Sequence, residues 1–174
     1  MEYLILKNVL TNKQRKKLLE DCKPLLQTSD QLKALYNSAP GVKYAGKQTT
    51  SMLHENLIFL KPITSMMKRV HKETGRNFTI RKSWINWTNG NKKDITWHDH
   101  EKGGAAYSCV YYMKTFPLFS NGTLFEDGLF KAPQNSLLIF PSNIKHTAPS
   151  SPLPFSRYTW AFDLNILNRN GNDG

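Results

Sequence analysis

The chain has 174 residues, 24 Lys/Arg against 13 Asp/Glu for a formal charge of +11, and 39% hydrophobic and 21% charged residues; this suits one domain with its own core and excludes a disordered tail or a coiled coil. The longest apolar runs, 57–60 and 137–140, are far short of the roughly 20 residues that cross a bilayer, so no membrane association is expected. Met1-Glu2-Tyr3 has no cationic lead into an apolar stretch, and the two cysteines, Cys22 and Cys109, are too few for a disulfide scaffold or a cysteine-rich zinc module, so a reducing, cytoplasmic setting is expected.

Residues 3–10 read as a short strand. Thr11 and Asn12 are good N-caps, and 12–23 follow as a helix with Leu18, Leu19 and Cys22 on one side. Pro24 breaks it, 28–37 form a turn or two of helix, and Pro40-Gly41 with Gly46 mark a loop. The stretch 54–73 sets Leu57, Phe59, Leu60, Ile63, Met66, Met67 and Val70 at helical spacing, with Pro62 near a helix start or kink and Gly75 as its stop. The pattern then changes to strands: 78–87, 95–100, 106–113, 123–130, 136–140, 144–148 and 156–166. Turn residues separate them, at Thr88–Asn91, Gly103-Gly104, Ser120–Gly122, Pro133–Asn135 and Ser150–Pro152, while Asn168–Gly174 reads as a frayed tail. The expected architecture is one domain over 1–174, α+β but mainly β. A helical support region (1–77) packs on the outside of the major sheet of a jelly-roll core (78–166).

The charge is uneven. Residues 1–93 hold 18 Lys/Arg and 6 Asp/Glu, and 94–174 hold 6 and 7. The basic half is either an ordinary solvated face or a docking surface for an anionic partner. Aromatic-interleaved basic motifs of the RNA-binding kind are absent.

Chemistry concentrates in the β half. His98 and His100 are two apart, so on a strand both rings face one side, and His146 follows the strand Leu137–Phe140 far downstream. Two ligands from one segment and a third from a late strand is how a jelly roll holds a metal at its mouth, and imidazole suits Fe, Zn, Cu and Ni. By itself, His-x-His is as readily two incidental surface histidines. Its company strengthens the signal: Arg157 and Thr159 share a strand face, and a guanidinium beside a hydroxyl suits a carboxylate. Tyr112 sits in a strand of the same half and can add a phenolic hydrogen bond.

These pieces resemble the Fe(II)- and 2-oxoglutarate-dependent dioxygenases, on their prolyl-4-hydroxylase-like branch, including its small phage-type members. The resemblance covers roughly residues 78–166. It rests on Trp97-His98-Asp99-His100, Ser108-Cys109-Val110-Tyr111-Tyr112-Met113, Asn121-Gly122-Thr123-Leu124-Phe125, Leu137–Pro141 leading to His146, and Arg157-Tyr158-Thr159. It implies a double-stranded β-helix, His98 and His146 as iron ligands, and Arg157 on the far carboxylate of 2-oxoglutarate, assisted by Tyr112 and Thr159, with Asn86 lining the pocket. It also implies consumption of O2, release of succinate and CO2, and hydroxylation of a peptidyl (prolyl-like) or small-molecule substrate. The family places a carboxylate two residues after its first histidine, where this chain has His100. Either His100 is the third ligand, as strand periodicity favours, or a bulge turns Asp99 inward.

Two other classes remain open: a three-histidine cupin-like dioxygenase that does not use 2-oxoglutarate, and a non-catalytic jelly-roll binding protein with a basic docking face. Elsewhere the ordinary readings hold. His54 and His71 are surface or capping groups, Trp84 and Trp87 core or pocket wall, Cys109 a buried apolar residue, and Glu126-Asp127 a hairpin turn. Glu101 is a surface loop residue or a partner to a ring N–H. Substrate choice is expected in the loops 40–52, 88–95 and 114–122.

Overall fold

The computed structural model describes residues 3–36, 46–89, 97–116, 118, 121–149 and 154–167. The expected Pro40-Gly41 loop, most of the 88–95 loop, the Ser150–Pro152 turn and the 168–174 tail lie outside them, as does part of the expected strand 95–100.

Among the described residues three α-helices precede most of the strands. Helix α1 (Asn12–Cys22) starts on a capping box in which Thr11 Oγ1 accepts from Gln14 N and Gln14 Oε1 accepts from Thr11 N, satisfying two otherwise orphaned donors. Helix α2 spans Ser29–Tyr36. Helix α3 (Leu60–Thr74) buries Pro62, Ile63, Met66 and Val70 and ends at Gly75, whose φ of 66° suits the left-handed cap. The single expected helix over 54–73 is therefore shorter. Two 3₁₀ turns, Leu53–Glu55 and Leu57–Phe59, precede it because Asn56 Oδ1 accepts from Ile58 N and restarts the chain.

The described residues form nine strands in chain order: β1 (Leu4–Lys7), β2 (Gly46–Gln48), β3 (Phe78–Thr88), β4 (Tyr107–Lys114), β5 (Gly122–Phe125), β6 (Gly128–Lys131), β7 (Ser136–Pro141), β8 (His146–Thr147) and β9 (Arg157–Ile166). The large antiparallel sheet runs β1-β7-β4-β9-β3-β2 and the small one β6-β5-β8. From β4 onward the chain crosses to the small sheet for the hairpin β5–β6, returns for β7, crosses again for β8 and returns for β9, which is the jelly-roll pattern. The expected run 123–130 is two strands, β5 and β6, turning at Glu126-Asp127. Gly46, expected in a loop, opens the edge strand β2 instead; a side chain there would collide with the Trp87 carbonyl.

One face of the large sheet presents Ile85, Cys109, Tyr111, Leu137, Trp160 and Phe162, which form one apolar cluster with Leu18, Cys22, Phe59, Ile63, Met66 and Val70 from the helical region. Trp160 meets Phe59 edge-on at 5.5 Å. The other face meets the small sheet through Tyr112, Phe125, Ala132, Leu138 and Phe140. Pairing of β3 with β9 slips by one residue between Ile80 and Lys82, a β-bulge.

Candidate metal centre

The floor is aromatic. Phe125 and Phe140 pack edge-on at 5.0 Å, and the His146 ring lies against Phe140 at 4.8 Å. Strand β8 delivers His146 here by pairing Phe125 with His146. On its other side His146 forms an isolated antiparallel bridge with His98, closed by His98 N to His146 O (3.1 Å) and His146 N to His98 O (2.9 Å). Their ring centroids are 4.5 Å apart.

His100 arrives differently. It is not on a regular strand, as periodicity suggested, but follows the bridge, donates its backbone N–H to Ser142 O (2.8 Å) and leads into the 3₁₀ turn Glu101–Gly103. Its ring stacks on Trp84 (centroids 5.5 Å, interplanar 19°) and lies 5.2 Å from His98 and 5.3 Å from His146. One nitrogen from each of the three histidines lies within 4.8 Å of the others, so a three-histidine site able to hold a metal ion is present.

The ring protons are assigned by their partners. His146 Nδ1 is 2.9 Å from Ile144 O, and a carbonyl only accepts, so Nδ1 carries hydrogen and Nε2 the lone pair. Burial, then the facing His98 and His100 partly offset by that carbonyl, pulls the His146 pKa down to about 3, which keeps the ring neutral and ligand-ready at neutral pH. His100 Nδ1 lies 2.8 Å from Asp163 Oδ1, an ion-pair contact without hydrogen-bond alignment, and that buried oxygen has no hydrogen-bond partner. Three imidazoles, with the outer nitrogen of His146 on a carbonyl and that of His100 beside a carboxylate, form a donor set that fits a borderline divalent metal such as Fe(II). Asp99 is not brought into the group; its Oδ1 accepts from Glu101 N (3.3 Å) in a local turn.

Behind the histidines, strand register aligns a polar row. Thr159 on β9 pairs with Asn86 on β3 and Tyr112 on β4, so the three side chains share the face that carries Trp84 and Asp163. Tyr112 Oη and Thr123 Oγ1 are 2.6 Å apart, and burial raises the phenol to about 12. Arg157, two residues before Thr159 and 4% exposed, donates Nη2 to Gly122 O (2.8 Å) and sets its guanidinium 5.9 Å from the Tyr112 ring centroid. Burial lowers its pKa, with Tyr112 opposing.

Outside the centre, His54 Nδ1 is 3.3 Å from Ser83 Oγ and His71 Nδ1 3.3 Å from Arg76 O. Cys109 is buried in the helix-facing cluster, which raises its thiol well above the usual value. Trp87 packs against that same cluster. Asp163 went unnoticed in the sequence. Continuing the parity of Arg157 and Thr159 through Ala161 reaches it, and Asp163, not Glu101, is the acid beside a ring nitrogen of the site.

No family model matches the sequence, and no curated protein is similar to it in sequence. Solved structures are similar in fold. An oxidoreductase of the 2OG-Fe(II) oxygenase family from Burkholderia pseudomallei superposes with a TM-score of 0.65 at 10% identity, covering 94% of this chain and 84% of that one. EctD from S. alaskensis in its apo form gives 0.67 at 11%, covering 94% and 72%. HygX from Streptomyces hygroscopicus, solved with nickel, 2-oxoglutarate and hygromycin B, gives 0.61 at 11%, covering 94% and 82%. The fold is therefore the mainly β jelly roll of the 2OG-Fe(II) oxygenases. Among the described residues no helix is long and apolar enough to cross a membrane.

Proposed function

We propose that the protein is an Fe(II)- and 2-oxoglutarate-dependent oxygenase that hydroxylates a substrate while releasing succinate and CO2. The observation that carries the reading is the convergence of His98, His100 and His146 within 4.8 Å on this fold. His98, His100 and His146 hold the iron, and Asp99 stays outside. Bound there, the ferrous ion supplies the redox chemistry of O2 activation that amino-acid side chains lack.

The chain's own residues bind, orient and exclude water. Arg157 clamps the far carboxylate of 2-oxoglutarate from a buried position where a charge-assisted bond is strong. Thr159, Tyr112 and Asn86 line the path between Arg157 and the histidines. Tyr112 stays a phenol throughout the physiological range and so acts only as a hydrogen-bonding group. Phe125 and Phe140 keep the floor dry, and Trp84 fixes the plane of the His100 ring.

The neighbour solved with hygromycin B supports a small-molecule substrate in preference to a prolyl peptide. An acidic substrate is favoured by the β3 bulge. Lys82, exposed, pairs across from Asp163 on the histidine-bearing face, and the Arg81 guanidinium lies against Gly104 in the turn after His100.

The test is an anaerobic titration with Fe(II), then 2-oxoglutarate, following the visible charge-transfer band. A band that depends on Arg157 supports the proposal. Metal binding without a band, or turnover that survives Arg157→Ala, favours instead a three-histidine dioxygenase that does without 2-oxoglutarate, which the all-neutral donor set also suits. No metal binding at all leaves the non-catalytic binding protein.

A further inference from the structure

We infer that Asp163 is a positioning residue that supplies the metal centre with its negative charge, taking over from behind His100 the role a carboxylate ligand fills in a two-histidine, one-carboxylate triad. The inference rests on the reading that the three histidines bind a metal.

Such a triad offers a divalent ion two neutral ligands and one anion. Here the ligand positions hold three neutral imidazoles, and His146 is buried on an aromatic floor. A divalent charge there is costly unless an anion lies nearby. Asp163 is the acid that β9 delivers to the spot: 4% exposed, with Oδ1 2.8 Å from His100 Nδ1. Its neighbours leave it to that ring. Lys82 across on β3 is exposed and makes no ion pair with it within 4.0 Å, and Ser108 across on β4 has a buried Oγ with no hydrogen-bond partner. A carboxylate 2.8 Å from Nδ1 favours hydrogen on that nitrogen, which leaves Nε2 for the metal and makes the imidazole a more electron-rich ligand. Trp84, stacked on the ring, removes its freedom to rotate away.

The charge and the orientation separate by mutation. Asp163→Asn keeps an oxygen able to accept from Nδ1–H and removes the charge, whereas Asp163→Leu removes both. His100→Asp moves an anion into the ligand position, where Asp163 becomes a second and superfluous one. Four proteins (wild type, Asp163→Asn, His100→Asp and the double variant) are titrated with Co(II), reading affinity by chelator competition and ligand field from the visible d–d spectrum. Asp163→Asn is expected to weaken Co(II) binding about 10- to 100-fold in the wild-type background. In the His100→Asp background it is expected to change affinity less than about 3-fold, or to strengthen it, because the anion is already supplied. The d–d band of Asp163→Asn shifts while its metal-free thermal midpoint stays within a few degrees, and Asp163→Glu restores part of the affinity.

Equal weakening in both backgrounds reduces Asp163 to a structural support and overturns the inference, as does an unchanged affinity in Asp163→Asn. Absence of Co(II) and Fe(II) binding by the wild type overturns the parent reading itself, so the two failures are told apart by the wild-type curve.

Discussion

Acid should unfold the metal-free protein through His146. Its ring is held neutral, with a pKa of about 3 in the folded chain against 6.5 for an ordinary histidine. Between those values the unfolded chain takes up a proton that the folded chain refuses. The stability this neutral ring preserves at pH 7 is therefore lost as pH falls below about 6.5, and the loss levels off near pH 3. Linkage between pH 7 and pH 5 gives a loss of about 2 kcal/mol from this one group. With a urea slope of about 2 kcal/mol/M, the unfolding midpoint drops by about 1 M. The assay is urea unfolding in EDTA at both pH values, for wild type and His146→Gln, whose amide can still donate to Ile144 O but does not titrate in this range. Carboxylates common to both proteins cancel in the comparison. The wild-type midpoint should fall by about 1 M more than that of the variant; parallel falls would refute the argument.

Arg157→Met is expected to raise the dissociation constant for 2-oxoglutarate about 10- to 150-fold, the worth of a hydrogen bond to a charged group, with Co(II) affinity little changed, as isothermal titration would report. Trp160→Ala empties the centre of the helix-facing cluster and should cost about 3–5 kcal/mol in urea unfolding while the metal titration of the folded fraction is preserved. Tyr112→Phe strands the Thr123 hydroxyl and should cost about 1 kcal/mol, measured the same way. Arg81→Glu with Lys82→Glu should weaken capture of an acidic substrate and flatten its salt dependence without altering Co(II) affinity.

Side-chain parity made much of this site legible. Arg157, Thr159 and Tyr112 fall on one face because strands alternate, and counting along the sequence is enough to see it. His98 and His100 converge for a different reason: a backbone bridge and a hydrogen bond to Ser142 O steer them, and neither leaves a mark in local pattern. Asp163 stayed hidden because an acid inside Trp160–Leu164 has no visible partner until the chain folds His100 against it. The helix expected from residue 54 began late because the Asn56 cap restarts the chain and leaves Leu57 exposed at 82% despite its helical spacing to Leu60; spacing reports a face but not whether anything covers it. Strand β2 has no alternating pattern to read, since Gly-Lys-Gln joins the edge through its backbone.

The bulge at Ile80–Lys82 acts on β3 as a shift of reading frame. Before it, the even residues Phe78 and Ile80 belong to the helix-facing cluster; after it, the odd residue Ile85 does, with Trp87 packed beside it, and the even residues Trp84 and Asn86 turn to the histidines. Losing one residue at this point would restore a continuous register and exchange the two sets, sending Asn86 toward the helices and Ile85 into the site. Deleting one residue on the far side of Thr88 would exchange nothing within β3. Length variation along this strand is thus constrained by arithmetic: the mouth of the site is written in a frame that a single insertion or deletion upstream of Trp84 would garble, and that only a compensating change between the two points would restore.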